Sequence, residues 1–215
     1  MNFSDPRAEA VFKEYDDRHQ RERGVTQDLP NELLGGRRDE FLLPIGRYVG
    51  DFLRSLVIGH NAKTILELGT SYGYSTLFLA DAARQSGGRV ISVDSAQAKQ
   101  EHAAGMLAKA GLADFVTFRC GDALEVIAAE TGPFDLVLLD LWKSAYADAF
   151  EAVYPKLAEA GVIVSDNMIQ PASARELVRA FRESVKAKGD MQSVLLPLGS
   201  GIELSIKWSL DSDSL

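Results

Sequence analysis

The segment that most constrains the fold is residues 64–80, where an apolar run, two glycines and a helical pattern follow one another. The apolar run is typical of a buried parallel strand and consists of Ile65, Leu66 and Leu68. Gly69 and Gly73 interrupt it, and Ser75 is predicted to cap the helix that follows. Strand, glycine turn and helix open a doubly wound nucleotide-binding fold, because glycines let the backbone approach a ligand.

Beyond this unit, strand patterns alternate with helix patterns, which predicts a mostly parallel sheet with right-handed crossovers and helices on both faces. The predicted strands are 63–68, 89–93, 115–119, 134–140, 161–165, 192–198 and 201–208. The predicted helices are 75–85, 96–109, 122–130, 144–158 and 173–187. Gly199 and Ser200 alone separate the last two strands, and so short a connection predicts an antiparallel hairpin. We therefore predict an α/β, Rossmann-like fold with a seven-stranded sheet.

The residues before this alternation predict a helical extension over 1–60, followed by a core over 61–215 within one structural domain. Ser4, Asp5 and Pro6 begin the first helix, and Gly24 is expected to end it. The remaining segments are a connector over 29–36, a second helix over 44–59 and a frayed tail over 211–215.

Composition excludes several classes of function. The net charge of −8 over 215 residues argues against a broad nucleic-acid surface or an anionic-membrane surface. Cys120 is the single cysteine, so an internal disulfide is excluded, and we expect it to be a small buried hydrophobic residue. Three scattered histidines argue against zinc. Neither a signal peptide nor a membrane-spanning run is evident, which predicts a cytoplasmic protein.

The carboxylate of Glu67 indicates what kind of nucleoside the glycine turn would bind. A negative charge at this strand end repels a pyrophosphate, and Gly69 and Gly73 lack the G-x-G-x-x-G spacing of dinucleotide sites. A cationic nucleoside without phosphate fits better, and S-adenosylmethionine has both properties. The alternative is an ordinary strand-to-helix turn with a capped helix.

All five predicted parallel strands end in an acidic residue: Glu67, Asp94, Asp122, Asp140 and Asp166. Ligands of open α/β sheets bind outside these strand ends, so the edge should attract a positive group. Asp94 has the spacing of a carboxylate that accepts hydrogen bonds from ribose hydroxyls. Asp122 either accepts from an adenine amino group or merely caps the next helix.

A second group of polar residues suits a divalent cation. Asp140, Asp166 and Asn167 offer the oxygen ligands that Mg²⁺, Mn²⁺ and Ca²⁺ prefer. Lys143 follows closely, and a nearby cation would lower its pKa and leave an amine that acts as a general base. The alternative is a surface lysine at a helix start. Glu203 in the last strand faces either this site or solvent.

Three motifs together resemble the small metal-dependent class I O-methyltransferases, the group of catechol O-methyltransferase and caffeoyl-CoA O-methyltransferase. They are Leu66-Glu67-Leu68-Gly69 with Tyr72-Gly73-Tyr74-Ser75, then Asp140-Leu141-Trp142-Lys143, and then Asp166-Asn167. The resemblance covers residues 40–208 and implies the class I methyltransferase fold, S-adenosylmethionine and a divalent metal, usually Mg²⁺. The long N-terminal segment is typical of bacterial and plant members and implies a homodimer.

The resemblance also implies roles for individual residues. The implied cofactor contacts are Glu67, Gly69, Ser71, Tyr72, Gly73, Ser75, Asp94, Ser95, Gly121, Asp122, Ala123, Asp140 and Trp142. The implied metal ligands are Asp140, Asp166 and Asn167, and the implied base is Lys143. The implied acceptor contacts are Phe41, Trp142, Lys143, Asn167, Pro171 and Glu203, with Glu203 accepting from the second hydroxyl of a catechol.

The activity implied is methylation of one hydroxyl of a small vicinal dihydroxy aromatic, without membrane or nucleic-acid partners. Two related activities are the alternatives: methylation of hydroxylated uridine in tRNA, and methylation of a caffeoyl-CoA-type thioester. A nicotinamide oxidoreductase is opposed by Glu67 and by the absent G-x-G-x-x-G motif. A noncatalytic binding protein is opposed by the complete set of metal and base residues.

Overall fold

The computed structural model describes residues 3–28 and 40–208, so the predicted connector over 29–36 and the tail over 211–215 lie outside it. The helices are α1 (Pro6–Asp28), α2 (Arg47–Gly59), α3 (Tyr74–Ser86), α4 (Gln97–Lys109), α5 (Ala123–Ala129), α6 (Tyr146–Val153) and α7 (Arg175–Lys186). The strands are β1 (Thr64–Leu68), β2 (Arg89–Asp94), β3 (Val116–Cys120), β4 (Phe134–Leu139), β5 (Leu157–Ser165), β6 (Met191–Leu196) and β7 (Ile202–Lys207).

The strands form one sheet in the order β3-β2-β1-β4-β5-β7-β6. The first five strands of that order pair in parallel, and β7 pairs antiparallel with both β5 and β6. The predicted Rossmann-like sheet with its antiparallel ending is therefore confirmed. The carboxyl ends of all five parallel strands meet at one edge, which is the edge predicted to bind ligands.

Helices cover both faces of the sheet because both faces carry apolar side chains. Helices α1 to α4 contribute to the buried cluster on one face, and α5 to α7 contribute to the cluster on the other. The N-terminal helix joins the first cluster through Phe12, whose ring packs edge-on against Phe78 of α3 at 5.7 Å. The extension thus shares its apolar core with the sheet, and the boundary near residue 60 stays a prediction.

The first helix is longer than predicted. Gly24 lies within α1, which continues to Asp28, so the expectation that this glycine ends the helix was wrong. A single glycine in a helix costs only about 1 kcal/mol. The preceding turns are supported by an ion pair between Arg18 and Glu22, four residues apart, at 2.6 Å.

The segment between β4 and β5 also differs from the prediction. The helix predicted over 144–158 ends at Val153, and a 3₁₀ turn containing Pro155 follows it. Proline has no backbone N–H to continue a helix, so the chain turns and enters β5 at Leu157. Strand β5 begins four residues earlier than predicted, and its pairing with β4 has a register shift between Phe134 and Leu136.

Two local predictions about side chains were wrong. Gly73, with φ of 89°, and not Ser75, precedes the first helical residue of α3, because glycine adopts this left-handed conformation readily. Cys120 is exposed at the end of β3 and is not buried, because this strand lies at the side of the sheet. No helix in the described part of the chain is long and apolar enough to cross a membrane.

Candidate active site

The glycine loop, residues 69–73, connects β1 to α3 and lies against the residue that follows β4. Gly69 has φ of 107°, and a side chain here would collide with the carbonyl oxygen of Asp140. Glycine is thus required both by the backbone conformation and by the close approach of the two strand ends. At the other end of the loop, a Cβ on Gly73 would lie 2.7 Å from the Cβ of Ala103.

Asp94 at the end of β2 holds the glycine loop in place. Its carboxylate accepts hydrogen bonds from the backbone N–H of Ser71 at 2.7 Å and of Ala96 at 2.8 Å. The half-buried carboxylate retains further lone pairs toward the edge of the sheet. Its contact with ribose hydroxyls stays a prediction.

Glu67 lies beneath the loop, fully buried, and not at the rim. Its carboxylate accepts from Ser75 at 2.5 Å, from Thr76 at 2.6 Å and from Ser92 at 2.5 Å. Burial raises the pKa of Glu67 to about 7, although the three hydroxyl donors act in the opposite direction. Glu67 therefore fastens the start of α3 to β1 and β2, and its direct contact with a cofactor stays a prediction.

Asp122 caps a helix, which is one of the two roles predicted for it. Its carboxylate accepts from the backbone N–H of Leu124 at 2.8 Å and of Glu125 at 3.2 Å, at the start of α5. Asp122 is exposed beside the end of β3, as is Ser95 beside the end of β2. With the half-buried Gly121 and Ala123 they form an accessible rim for the predicted adenine contact.

A second wall faces the glycine loop and was missed by sequence reasoning. Residues 42–45 line a cleft together with loop residues 69–72, Tyr74, Ser75 and Asp140. The segment has no secondary-structure pattern, so its only signal in the sequence was its position before α2. The predicted acceptor residue Phe41 precedes this facing wall and is buried.

Asp140 and Asp166 lie beside each other because β4 and β5 are parallel and in register. The strands end in the paired residues Leu139 and Ser165, and each aspartate follows directly. Burial raises the pKa of both carboxyls, and the negative charge of Asp140 raises that of Asp166 further. Two adjacent carboxylates in a buried setting are stable together when one of them keeps a proton or when a cation balances their charge.

The donor set at these strand ends fits a divalent cation. Asn167 has φ of 55°, and its backbone N–H and amide Nδ2 both donate to the Asp166 carboxylate, at 2.6 and 3.3 Å. The amide oxygen of Asn167 is thereby left available as a ligand. Among the described residues no three His, Cys, Asp or Glu side chains converge, so Asn167 and water or acceptor would complete the coordination.

Lys143 is half-buried beside this carboxylate pair and is not the surface lysine of the alternative interpretation. Burial lowers the pKa of Lys143 to about 8, although Asp140 and Asp166 act in the opposite direction. Its Nζ donates to the hydroxyl of Tyr146 and to the carbonyl of Leu141. Sequence reasoning missed Tyr146, since a buried aromatic at a helix start is usually part of the core.

Tyr146 fixes the lysine to both strand ends. Its hydroxyl lies 2.8 Å from the carbonyl oxygen of Leu139 and 3.1 Å from that of Asp166. Burial raises the pKa of Tyr146 well above its usual range, so the hydroxyl keeps its proton. Nζ of Lys143 is therefore held at a defined place next to the carboxylates.

The remaining predicted acceptor residues differ in their exposure to solvent. Trp142 is 63% exposed beside Lys143, and Pro171 is exposed in the loop after β5. Glu203 is buried in β7 and accepts from Ser193 at 2.6 Å and from Arg182 at 3.1 Å. Its side chain thus points toward α7 and not into solvent.

A cavity of about 560 Å³ lies between α7 and the β6–β7 hairpin, beside the loop that follows β5. We call it the α7 groove. Its lining includes Met168, Arg175, Arg179, Arg182, Lys186 and Glu203. Met168 and Glu203 place one end of the groove next to the carboxylate pair.

Known proteins are similar to this chain in sequence and in fold. Residues 66–168 match the family model described as a methyltransferase domain. Caffeoyl-CoA O-methyltransferase 1 of Eucalyptus globulus is 30% identical over 202 residues, which cover 85% of this chain and 78% of that protein. The chain belongs to the caffeoyl-CoA and catechol O-methyltransferase family.

Two further relatives support the membership. A catechol O-methyltransferase of Niastella koreensis is 34% identical over 125 residues, 56% of each chain. The crystal structure of the O-methyltransferase TomG from Streptomyces achromogenes, in complex with S-adenosylmethionine, matches with a TM-score of 0.75 and 25% identity, over 93% of this chain and 90% of that one. The protein is therefore an S-adenosylmethionine-dependent O-methyltransferase.

Proposed function

We propose that this O-methyltransferase methylates one hydroxyl of a vicinal dihydroxy aromatic, with a divalent cation held by Asp140, Asp166 and Asn167 and with Lys143 as base. The observation that carries the proposal is the adjacent pair of buried carboxylates with a half-buried lysine beside them. These groups lie at the same sheet edge as the glycine loop, so acceptor and cofactor would meet there.

Each reactant would be held by its own part of the edge. The glycine loop and the facing wall would hold S-adenosylmethionine, which supplies the methyl group from its sulfonium. Asp140 and Asp166 would balance the charge of Mg²⁺, Mn²⁺ or Ca²⁺, and Asn167 would add a neutral oxygen. Bound there, the cation would lower the pKa of a chelated acceptor hydroxyl.

Lys143 would then accept the proton of the attacking hydroxyl at Nζ. Its pKa of about 8 leaves part of the population as the neutral amine near neutral pH. Tyr146 keeps Nζ in place through hydrogen bonds to the ends of β4 and β5. The carbon–oxygen bond would form as the carbon–sulfur bond of S-adenosylmethionine breaks and S-adenosylhomocysteine leaves, so the rate would depend chiefly on the alignment of the reactants.

Three side chains would orient the acceptor ring. Exposed Trp142 and Pro171 would confine a flat ring between them, with Phe41 nearby. Oε2 of Glu203 is buried and accepts no hydrogen bond from the described residues, although Nε of Arg182 lies 3.1 Å away. This oxygen is suited to accept from the second hydroxyl.

The test is methyl transfer from S-adenosylmethionine to catechol, dihydroxybenzoate, caffeate and a monohydroxy control, each with Mg²⁺ and with EDTA. We expect turnover of the vicinal diols only, and its loss in EDTA. Turnover that survives EDTA would remove the metal roles from Asp140, Asp166 and Asn167. Cofactor binding without turnover of any diol would favour the tRNA alternative, which a gel shift with tRNA tests.

A larger anionic acceptor is the second candidate, and the α7 groove favours it. Four basic residues and two acidic ones, Glu183 and Glu203, line the groove in a protein whose net charge is −8, so the groove carries a local excess of positive charge that is suited to an anion. A caffeoyl-CoA-type thioester would place its ring at the carboxylate pair and its phosphates along α7.

This second candidate predicts a charge-dependent KM. Arg179→Gln should raise the KM for caffeoyl-CoA about fivefold, roughly 1 kcal/mol, and leave the KM for caffeate unchanged. Lys13→Gln, which removes an exposed charge from α1 on the other face of the sheet, is the matched control. An equal effect on both acceptors would contradict binding of the thioester in the groove.

The predicted homodimer belongs to the same proposal and is supported by the family resemblance. The proposed cytoplasmic location is supported by the single cysteine, which is typical of a reducing compartment. Sedimentation of the purified chain should give twice the monomer mass of 23.4 kDa. A monomer at micromolar concentration would contradict the dimer.

A further inference from the structure

The N-terminal helix contacts the wall that faces the glycine loop. The backbone N–H of Leu42 donates to Oε2 of Glu22 at 2.6 Å. The guanidinium of Arg18 donates to the carbonyl of Glu40 at 3.2 Å, just before that wall. Two neighbouring turns of α1 therefore bind one backbone carbonyl and one backbone N–H of the same short segment. Around Leu42 this segment has no secondary structure of its own.

The same helix contacts the glycine loop. The guanidinium of Arg18 lies 3.9 Å from the ring centroid of Tyr72, and the hydroxyl of Tyr15 donates to the carbonyl of Tyr72 at 2.6 Å. Nε of Arg18 also pairs with Oε1 of Glu22 at 2.6 Å, so the contacts to the two walls share one ion pair.

We propose that Arg18 and Glu22 are positioning residues for S-adenosylmethionine, and that they set the spacing between the two walls of its cleft. They act through Leu42 and Tyr72, which line the cleft, and not by touching the cofactor. The inference depends on cofactor use by this enzyme and not on the proposed acceptor or metal.

The physical basis is preorganisation. Hydrogen bonds that involve a charged partner are stronger than neutral ones, and the side chains of Arg18 and Glu22 are only 22% and 19% exposed. The helix is fixed to the core by buried Phe12 and Tyr15, so it provides a rigid support. Walls whose positions are fixed before binding lose less conformational freedom when the cofactor binds.

The experiment compares Glu22→Ala with Glu14→Ala in the full chain by calorimetric titration with S-adenosylhomocysteine. Glu14 pairs with Lys109 and lies on the same helix but outside the cleft, so the control removes an equal charge and an ion pair that is more exposed. We expect Glu22→Ala to raise the Kd about tenfold, the effect of ~1.4 kcal/mol, and Glu14→Ala to leave it within about twofold.

Two further measurements separate positioning from a general loss of stability. Arg18→Lys keeps the charge but loses the planar fork, so it should raise the Kd by an intermediate amount, about threefold. The kcat of Glu22→Ala at saturating cofactor, with whichever acceptor is turned over, should stay within about twofold of the unaltered enzyme.

A Kd equal to that of Glu14→Ala would overturn the proposal, and so would a fall in kcat without a change in Kd. If Glu22→Ala does not fold, Arg18→Lys and Tyr15→Phe provide the same comparison, because each retains most of the packing of α1. The titration needs no acceptor, so failure of the proposed diol chemistry leaves this test intact.

Discussion

The two halves of the ligand-binding edge use the same residue type in opposite ways. In the cofactor half, Glu67, Asp94 and Asp122 each accept two or three hydrogen bonds from the protein. In the other half, Asp140 and Asp166 lie adjacent in a buried setting, and the charge of Asp140 raises the pKa of Asp166. Carboxylates of the first kind join neighbouring elements of the fold, whereas we propose that the second pair would hold a cation.

The comparison shows that an acidic strand end is not a functional site by itself. What differs is the supply of donors, because hydroxyls and backbone N–H groups surround the first set. At the second set the nearby donors are the N–H groups of Asn167 and the ammonium of Lys143. A carboxylate without enough protein donors attracts a proton or a metal ion.

The largest effect should come from removing one charge of the aspartate pair. Asp166→Asn should lower kcat/KM with Mg²⁺ by at least about 1,000-fold, since ~4 kcal/mol of metal binding and charge stabilisation is lost. The unfolding free energy of the metal-free protein should stay equal or rise, because a like-charge repulsion disappears. Turnover assays and urea unfolding of one preparation measure both. A large loss of unfolding free energy in Asp166→Asn would show that Asp166 stabilises the fold, as Glu67, Asp94 and Asp122 do.

The next effect concerns the base. Lys143→Ala should lower kcat about 100-fold, the contribution of a general base, while the Kd for S-adenosylhomocysteine stays unchanged. Steady-state turnover assays measure the kcat, and calorimetric titration measures the Kd. Lys156→Ala, which removes a lysine that donates to carbonyls near α5, serves as the control. Full activity of Lys143→Ala would show that another group accepts the proton.

Glu67 should contribute to the pH dependence of the unfolding free energy. Its pKa rises from 4.5 in the unfolded chain to about 7 in the fold, so between these values the folded state retains a proton that the unfolded state releases. The contribution of Glu67 is therefore fully present below pH 4.5 and is lost as the pH rises through 7. In the unaltered protein this loss should lower the unfolding free energy by about 3 kcal/mol, and we expect Glu67→Gln to lack this change. Urea unfolding at pH 5 and pH 8 tests it, and equal pH slopes for both proteins would contradict it.

The smallest effect should come from Asp122. Asp122→Ala should cost ~1 kcal/mol of unfolding free energy, because α5 loses the side chain that caps it. Asp122→Asn retains an acceptor and should restore most of that stability. If Asp122→Ala also raises the Kd for S-adenosylhomocysteine while Asp122→Asn restores stability alone, then the carboxylate contacts the cofactor in addition to the helix.

Much of the architecture could be predicted from the sequence because its signals are local. The alternation of apolar strands and helices indicated the parallel sheet, and the short connection predicted at Gly199 and Ser200 indicated the hairpin. The connection in the structure is longer than predicted and spans residues 197–201. Parallel topology alone then places every strand end at one edge. The adjacency of Asp140 and Asp166 follows from that rule together with the register of β4 and β5.

The errors arose where a local signal had competing local solutions. Ser75 is a good helix cap, yet Gly73 adopts the left-handed conformation first and Ser75 donates to Glu67 instead. Pro155 could lie in a first helical turn or end a helix, and here it ends one. Propensity does not choose between such solutions, because the choice depends on what the side chain contacts across the fold.

The sequence by itself therefore determined the sheet, the ligand-binding edge and the residue types gathered there, because periodicity and glycine placement act over short distances. Tertiary structure alone decided which carboxylates are satisfied by the protein, that Glu203 faces α7, and that Arg18 and Glu22 reach both walls of the cleft proposed for the cofactor. These contacts join residues far apart in the chain, and their partners depend on packing that no local pattern encodes.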